Sequence, residues 1–150
     1  MENFYLNNEI ELTEQISEDI DLAKKVKVFS KSKYSNYSVG AVLKCKNGKK
    51  YLGCNIENYG IQSICAERVA FAKAISEGEN EFESILIIGS KNNSNKLEKC
   101  LPCGYCRQFI IEFVEKKFEI ITAYNVDETS DYIVEKYTIE ELLPGSFRLK

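Results

Sequence analysis

At 150 residues, 44% of them hydrophobic, the chain has the length and apolar content of one domain spanning 1–150 with a real core, and no room for a second. A net charge of −3, with acidic and basic side chains mixed along the sequence, offers no electropositive footprint for a phosphate backbone, so no nucleic-acid partner is expected. No apolar run approaches the roughly 20 residues that cross a bilayer, and positions 1–11 carry acidic but no basic residues, so no membrane partner is expected and the expected location is cytoplasmic.

Ile16, Ile20, Ala23, Val26 and Phe29 recur at helical spacing behind Thr13, Ser17 and Glu18, which predicts a first helix over roughly 14–31. Val39, Ala41 and Leu43 alternate with smaller or polar partners up to Asn47-Gly48, a strong two-residue turn signal, after which Tyr51 and Cys54 resume a strand; the segment reads as a β-hairpin. A loop over 57–64 leads to Cys65, from which Ala66, Val69, Ala70 and Ala74 read as a helix ending near Gly78. The apolar run over 84–89 suits a strand buried on both faces, and the Asn, Ser and Lys cluster over 91–99 a surface loop. A helix over 103–116, strands over 118–123 and 132–137, and a short helix over 139–143 complete the chain. This order, α-β-β-α-β-α-β-β-α, implies an α/β fold with a mixed five-stranded sheet between helical layers.

Six cysteines and no histidine define the chemistry. Cys103 and Cys106, three positions apart where a helix opens, can grip one tetrahedral Zn²⁺ from the same side, and Cys65, at the start of another helix, supplies a third thiolate. Helix amino ends favour negative charge, so thiolates are stabilised there before metal arrives. Three ligands and an open position distinguish a catalytic zinc from a closed structural one. Glu67, two residues beyond Cys65, can turn toward that position and move protons without coordinating the metal. A thioredoxin-type motif is the competing reading of Cys-x-x-Cys, and a structural zinc site would recruit Cys54 or Cys100 as a fourth ligand. Cys45 and Cys54 otherwise read as small core residues on strands.

The pairing of Cys65-Ala66-Glu67-Arg68 with Pro102-Cys103-Gly104-Tyr105-Cys106 matches the zinc deaminase signature, in which the glutamate lies outside the metal shell. With Tyr34-Ser35-Asn36-Tyr37-Ser38-Val39-Gly40-Ala41, Gly53-Cys54-Asn55-Ile56-Glu57-Asn58, Arg107-Gln108 and Glu141-Leu142-Leu143-Pro144-Gly145, the chain resembles the cytidine deaminase family, in its small three-cysteine branch, over roughly 34–147.

That resemblance implies a three-layer α-β-α fold, one Zn²⁺ per subunit, and hydrolysis of cytidine and deoxycytidine to uridine and deoxyuridine plus ammonia. It implies that Glu67 protonates the ring nitrogen and then the departing amine, and that Arg68 hydrogen-bonds the thiolates. Asn55 and Glu57 would hold the ribose hydroxyl, with Glu57 also repelling a phosphate, and the backbone around Ala66 and Cys103 would read the polar edge of the base. Tyr37 stands where the family usually has a phenylalanine lining the pyrimidine pocket. A homotetramer with shared active sites is implied, in which Phe147, and likewise Tyr59, reach a neighbour's site. The loop between Asn58 and Cys65 is one residue shorter than the usual form, and Lys33 replaces a proline.

Blasticidin S deaminase is the nearest rival enzyme, and that group lacks the intact Asn-x-Glu-Asn run seen here at 55–58. Editing deaminases carry a histidine ligand and a basic strand channel, and this chain has neither. A noncatalytic zinc-stabilised assembly protein would keep the cysteines without needing Glu67.

Overall fold

A computed structural model describes residues 8–149. Its elements are β1 (Glu9–Ile10), α1 (Glu14–Lys27), β2 (Tyr37–Cys45), β3 (Lys50–Cys54), α2 (Ala66–Ser76), β4 (Phe82–Lys91), α3 (Gly104–Ile110), β5 (Glu119–Tyr124), β6 (Ile133–Thr138) and α4 (Ile139–Leu142). They form one sheet in the order β1-β6-β5-β4-β2-β3, with β4 and β5 parallel and every other pair antiparallel. The mixed sheet expected from the sequence is present, with six strands instead of five. The additional one is β1, whose two residues are too short to show an alternating pattern and which pairs with β6 at the sheet edge.

Alternation along β4 explains the three layers. Ile85 and Ile87 pack with Ala41, Leu43, Ala70, Phe71, Ile110 and Ile120 on the face covered by α2 and α3. Leu86 and Ile88 pack with Ile20, Ala23, Val42, Ala123 and Val134 on the face covered by α1. A strand clothed on both sides has no polar face to show, hence its continuous apolar run. Phe71 centres an aromatic group with Phe82, Phe109, Phe113 and Phe118 that locks α2 to α3.

Helices α1 and α3 both end earlier than the sequence predicts. Thr13 caps α1, accepting from the Ile16 amide at 3.2 Å, but the helix stops at Lys27 and Phe29 lies exposed. Beyond it the backbone is drawn into extended pairing: Lys31 N–H donates to the Asn55 carbonyl at 3.1 Å, and Glu57 N–H to the Lys31 carbonyl at 2.7 Å. Tertiary hydrogen bonds thus override helical spacing. In α3 the final turn tightens, with Glu112 and Phe113 N–H donating three residues back to Phe109 and Ile110, and regular helix ends at Ile110. The segment over 91–99 is not wholly a surface loop either. Leu97 is buried, its amide donating to Asn125 Oδ1 at 2.8 Å, and Glu98 N–H bridges to Gly89.

Three contacts set the site. The amino end of α2 lies on β3, α3 packs beside α2, and the stretch linking β3 to α2 returns through a bridge between Ile56 and Ile64. Among the described residues no helix is long and apolar enough to cross a membrane.

Candidate active site

Cys65 is the N-cap residue of α2, Cys103 that of α3, and Cys106 lies in the first turn of α3. Their sulfurs all fall within 4.8 Å of one another. Three thiolates on a tetrahedral Zn²⁺, at about 2.3 Å each, sit about 3.8 Å apart, so only a small contraction seats the ion. Cys106 is fully buried, Cys65 half-buried and Cys103 exposed, which leaves one side of the triangle open. A hydrogen bond from Cys106, helped by Arg68 and opposed by burial, holds the Cys65 thiol down to about 5. The same contact, together with burial, pushes Cys106 up. Cys54 and Cys100 are not part of the cluster, so no fourth sulfur closes it.

Glu67 sits in the first turn of α2, 5% exposed. Burial, and after it the negative charge of Cys65, pushes its carboxyl up to about 7. It can therefore both hold and release a proton near neutrality. Arg68 lies above Cys65: its Nη2 donates to the Ser63 carbonyl at 3.3 Å and reaches the Cys65 sulfur at 3.9 Å. Its Cζ stands 4.6 Å from the centroid of the Tyr105 ring.

On the β3 side, Asn55 is a strut. Its Oδ1 accepts from Val39 N–H at 2.9 Å and from the Ser30 hydroxyl, and its Nδ2 donates to the Tyr37 carbonyl at 2.9 Å. One amide proton is left for a ligand. Glu57 Oε1 accepts from the amides of Tyr34 and Ser35, both at 3.1 Å. Burial opposes its charge, but these amides and the Ser35 hydroxyl outweigh it and hold the carboxyl below its ordinary value. Glu57 lines a cleft of about 490 Å³ with Tyr34, Asn58, Tyr59, Gly60 and Ser63. Ser63, which receives Arg68, joins this cleft to the sulfur cluster.

Tyr37 lies close to Gly89, beside Cys100: a Cβ on Gly89 would meet the Tyr37 ring and hydroxyl at 2.7 Å and the Cys100 sulfur at 3.0 Å. Burial, and then the Glu67 charge, push Cys100 up to about 12, so it remains a neutral thiol beside Glu67. Ala66 is fully buried between Cys65 and Glu67. Tyr59 is 91% exposed on the rim of the cleft, and Phe147 is 67% exposed, its carbonyl accepting from Gln108 Nε2 on α3 at 3.0 Å. Ser63 and Gly89 carried no signal of their own in the sequence. Cys100 stood there only as a possible fourth ligand, which the cluster does not include, and Tyr105 only as a residue inside Cys-x-x-Cys, one position from a ligand.

Residues 13–125 match the profile of the cytidine and deoxycytidylate deaminase zinc-binding region. The chain belongs to this deaminase family. A cytidine deaminase of Sporosarcina psychrophila is 36% identical over 126 residues, 83% of this chain and 85% of that one. A blasticidin-S deaminase of Bacillus cereus is 32% identical over 114 residues, 73% of this chain and 76% of the relative. The crystal structure of cytidine deaminase from Burkholderia pseudomallei is similar with a TM-score of 0.73 at 32% identity, covering 91% of this chain and 100% of that one. The deaminase fold, and zinc as the cofactor of a hydrolytic enzyme, agree with the three-sulfur cluster, whose soft, charged donors suit that metal.

The raised Glu67 has a consequence for the zinc-free deaminase. Its folded state keeps a proton up to about pH 7, whereas the unfolded chain releases it at the ordinary value of 4.5, so this group's contribution to stability falls as pH rises through that window. Glutamine carries no such burden. In urea melts of reduced, zinc-free protein, Glu67→Gln should exceed wild type by up to about 3 kcal/mol near about pH 8, with the gap closing near about pH 4. A gap that does not change with pH would show that Glu67 does not titrate as its burial requires.

Proposed function

We propose that this protein hydrolyses cytidine and deoxycytidine to uridine and deoxyuridine, consuming one water and releasing one ammonia per turnover, as a single-domain enzyme of cytoplasmic pyrimidine salvage. The observation that carries the reading is the buried Glu67 carboxyl beside three converging sulfurs with one open side. When bound by Cys65, Cys103 and Cys106, zinc supplies the Lewis acidity that makes water nucleophilic near neutral pH. Glu67 takes the proton of that water, delivers it to the ring nitrogen, and passes the next to the departing amine. Its burial keeps bulk water from competing for the transfer.

Asn55 and Glu57 receive the ribose, Asn55 with its remaining amide proton and Glu57 with a carboxylate kept charged by its backbone donors. The backbone around Ala66 faces the polar edge of the base, and Tyr37, beside Cys100 and Gly89, lines the pyrimidine pocket. The substrate is a free nucleoside, since the Glu57 charge opposes a neighbouring phosphate. We assign a homotetramer whose sites are shared. Phe147 and Tyr59 support this, because neither is buried against its own chain.

Similarity to a blasticidin-S deaminase favours a second reading, in which the same centre acts on a cytosine bearing a modified sugar. Loss of ultraviolet absorbance by cytidine, deoxycytidine, cytosine, CMP and blasticidin S, each mixed with zinc-loaded protein, separates the two. Turnover of the two nucleosides alone supports the first reading, and turnover of blasticidin S alone the second. Within the first reading, Glu57→Gln should raise the cytidine KM by about tenfold or more, as expected for a lost charged hydrogen bond of about 1.5–3 kcal/mol. An unchanged cytidine KM would remove Glu57 from the sugar site.

A further inference from the structure

We propose that Tyr105 is a positioning residue that clamps the Arg68 guanidinium over the metal-binding sulfurs. The inference rests on the zinc deaminase reading of the site. The polar contacts of Arg68 are long: Nη2 donates to the Ser63 carbonyl at 3.3 Å and to Cys65 Sγ at 3.9 Å, with the Cys106 thiol as a further partner. Its Nε is buried with no hydrogen-bond partner. Contacts this long, with Nε unpaired, restrain the orientation of the guanidinium only loosely. The Tyr105 ring, 4.6 Å from Cζ, supplies the missing restraint, because the negative face of an aromatic ring attracts a cation without fixing a particular N–H.

The placement has a second effect. Arg68 and Cys65 belong to the start of α2, whereas Tyr105 lies between Cys103 and Cys106 on α3. The stacked pair therefore joins the two elements that carry the sulfurs, across the point where they meet. Tyr105 is 71% exposed in the single chain, so burial against its own chain is not what holds it there. Three thiolates give a tetrahedral zinc a formal charge of −1 and weaken its acidity; a guanidinium fixed against the sulfurs draws electron density back from them.

The test compares Tyr105→Ala, Tyr105→Leu and Tyr105→Phe, each alone and combined with Arg68→Gln, in zinc-loaded and Co²⁺-substituted protein. Tyr105→Ala and Tyr105→Leu should lower kcat for cytidine by about threefold to thirtyfold, the range of one cation–π contact, with KM nearly constant. Both should move the sulfur-to-cobalt charge-transfer band to lower energy, as sulfurs that lose a hydrogen-bond donor become better electron donors. Tyr105→Phe should match wild type in both, since its ring is intact. In the Arg68→Gln background, removal of the ring should add almost nothing, because the pair acts as a unit. Wild-type kcat and band in Tyr105→Leu, a Tyr105→Phe as impaired as Tyr105→Ala, or losses that simply multiply in the double variant would each overturn the clamp. A wild-type protein that leaves cytidine untouched would instead defeat the deaminase reading, and the cobalt band would still decide the clamp.

Discussion

Glu67→Gln is expected to lower kcat for cytidine by about 10²–10⁴-fold, the usual contribution of a positioned acid–base group, while one zinc per chain is retained. The substitution keeps the shape of the side chain and removes its capacity to carry a proton. No neighbour replaces it: the chain has no histidine, and the nearby Cys100 thiol is pushed up to about 12, too high to exchange a proton near neutrality. At 5% exposure, solvent reaches the carboxyl poorly, so a bulk buffer cannot take over the transfer. The metal ligands are untouched, so metal analysis and thermal melts of the loaded protein should resemble wild type. A variant that keeps zinc and loses less than about tenfold in kcat would show that the protons travel by another route.

The second large effect is expected far from the chemistry in function but close in space. At Gly53 on β3 an added Cβ would stand 2.3 Å from the Ala66 carbonyl oxygen and 2.7 Å from the Ala70 backbone nitrogen. Both obstacles are main chain, so no rotamer change relieves them, and the amino end of α2 must lift away from the sheet. Gly53→Ala should cost about 3 kcal/mol, at the upper end for overpacking a rigid contact. Because that end of α2 carries Cys65, Ala66 and Glu67, the folded fraction should also bind zinc weakly and turn over poorly. Denaturant melts and zinc titration at a temperature where the variant remains folded measure the two effects separately. A variant as stable as wild type would mean that α2 does not rest on Gly53 as closely as described.

The parts of this protein that spacing alone could specify were legible in its sequence, and the parts that depend on tertiary pairing were not. Strand alternation, the Asn47-Gly48 turn and the unbroken apolar run of β4 each reflect a local rule, and the sheet core follows them. The convergence of Cys65, Cys103 and Cys106 was legible for a related reason, since the ligand spacing places all three at helix starts, where the structure has them. β1 was missed because two residues have no period. α1 was drawn too long because the backbone after Lys27 is claimed by Asn55 and Glu57, and no helical pattern records a competing extended partner. Asn55 illustrates the limit of motif reading at the site: its motif pointed outward to a ribose, yet most of its amide ties together Val39, Ser30 and Tyr37. The Tyr105 contact was hidden because it joins α3 to α2, and nothing in Cys-x-x-Cys says which helix will lie above it.

The most direct test of the account is a zinc titration of reduced, metal-free protein with cytidine present, following uridine and ammonia together. The account predicts that both products appear in equal amounts, and that turnover rises linearly with zinc and levels off at one ion per chain, with Cys65→Ser, Cys103→Ser and Cys106→Ser each failing to reach that plateau. Full turnover without zinc, or a chain that takes up one zinc through these cysteines and leaves cytidine unchanged, would contradict it.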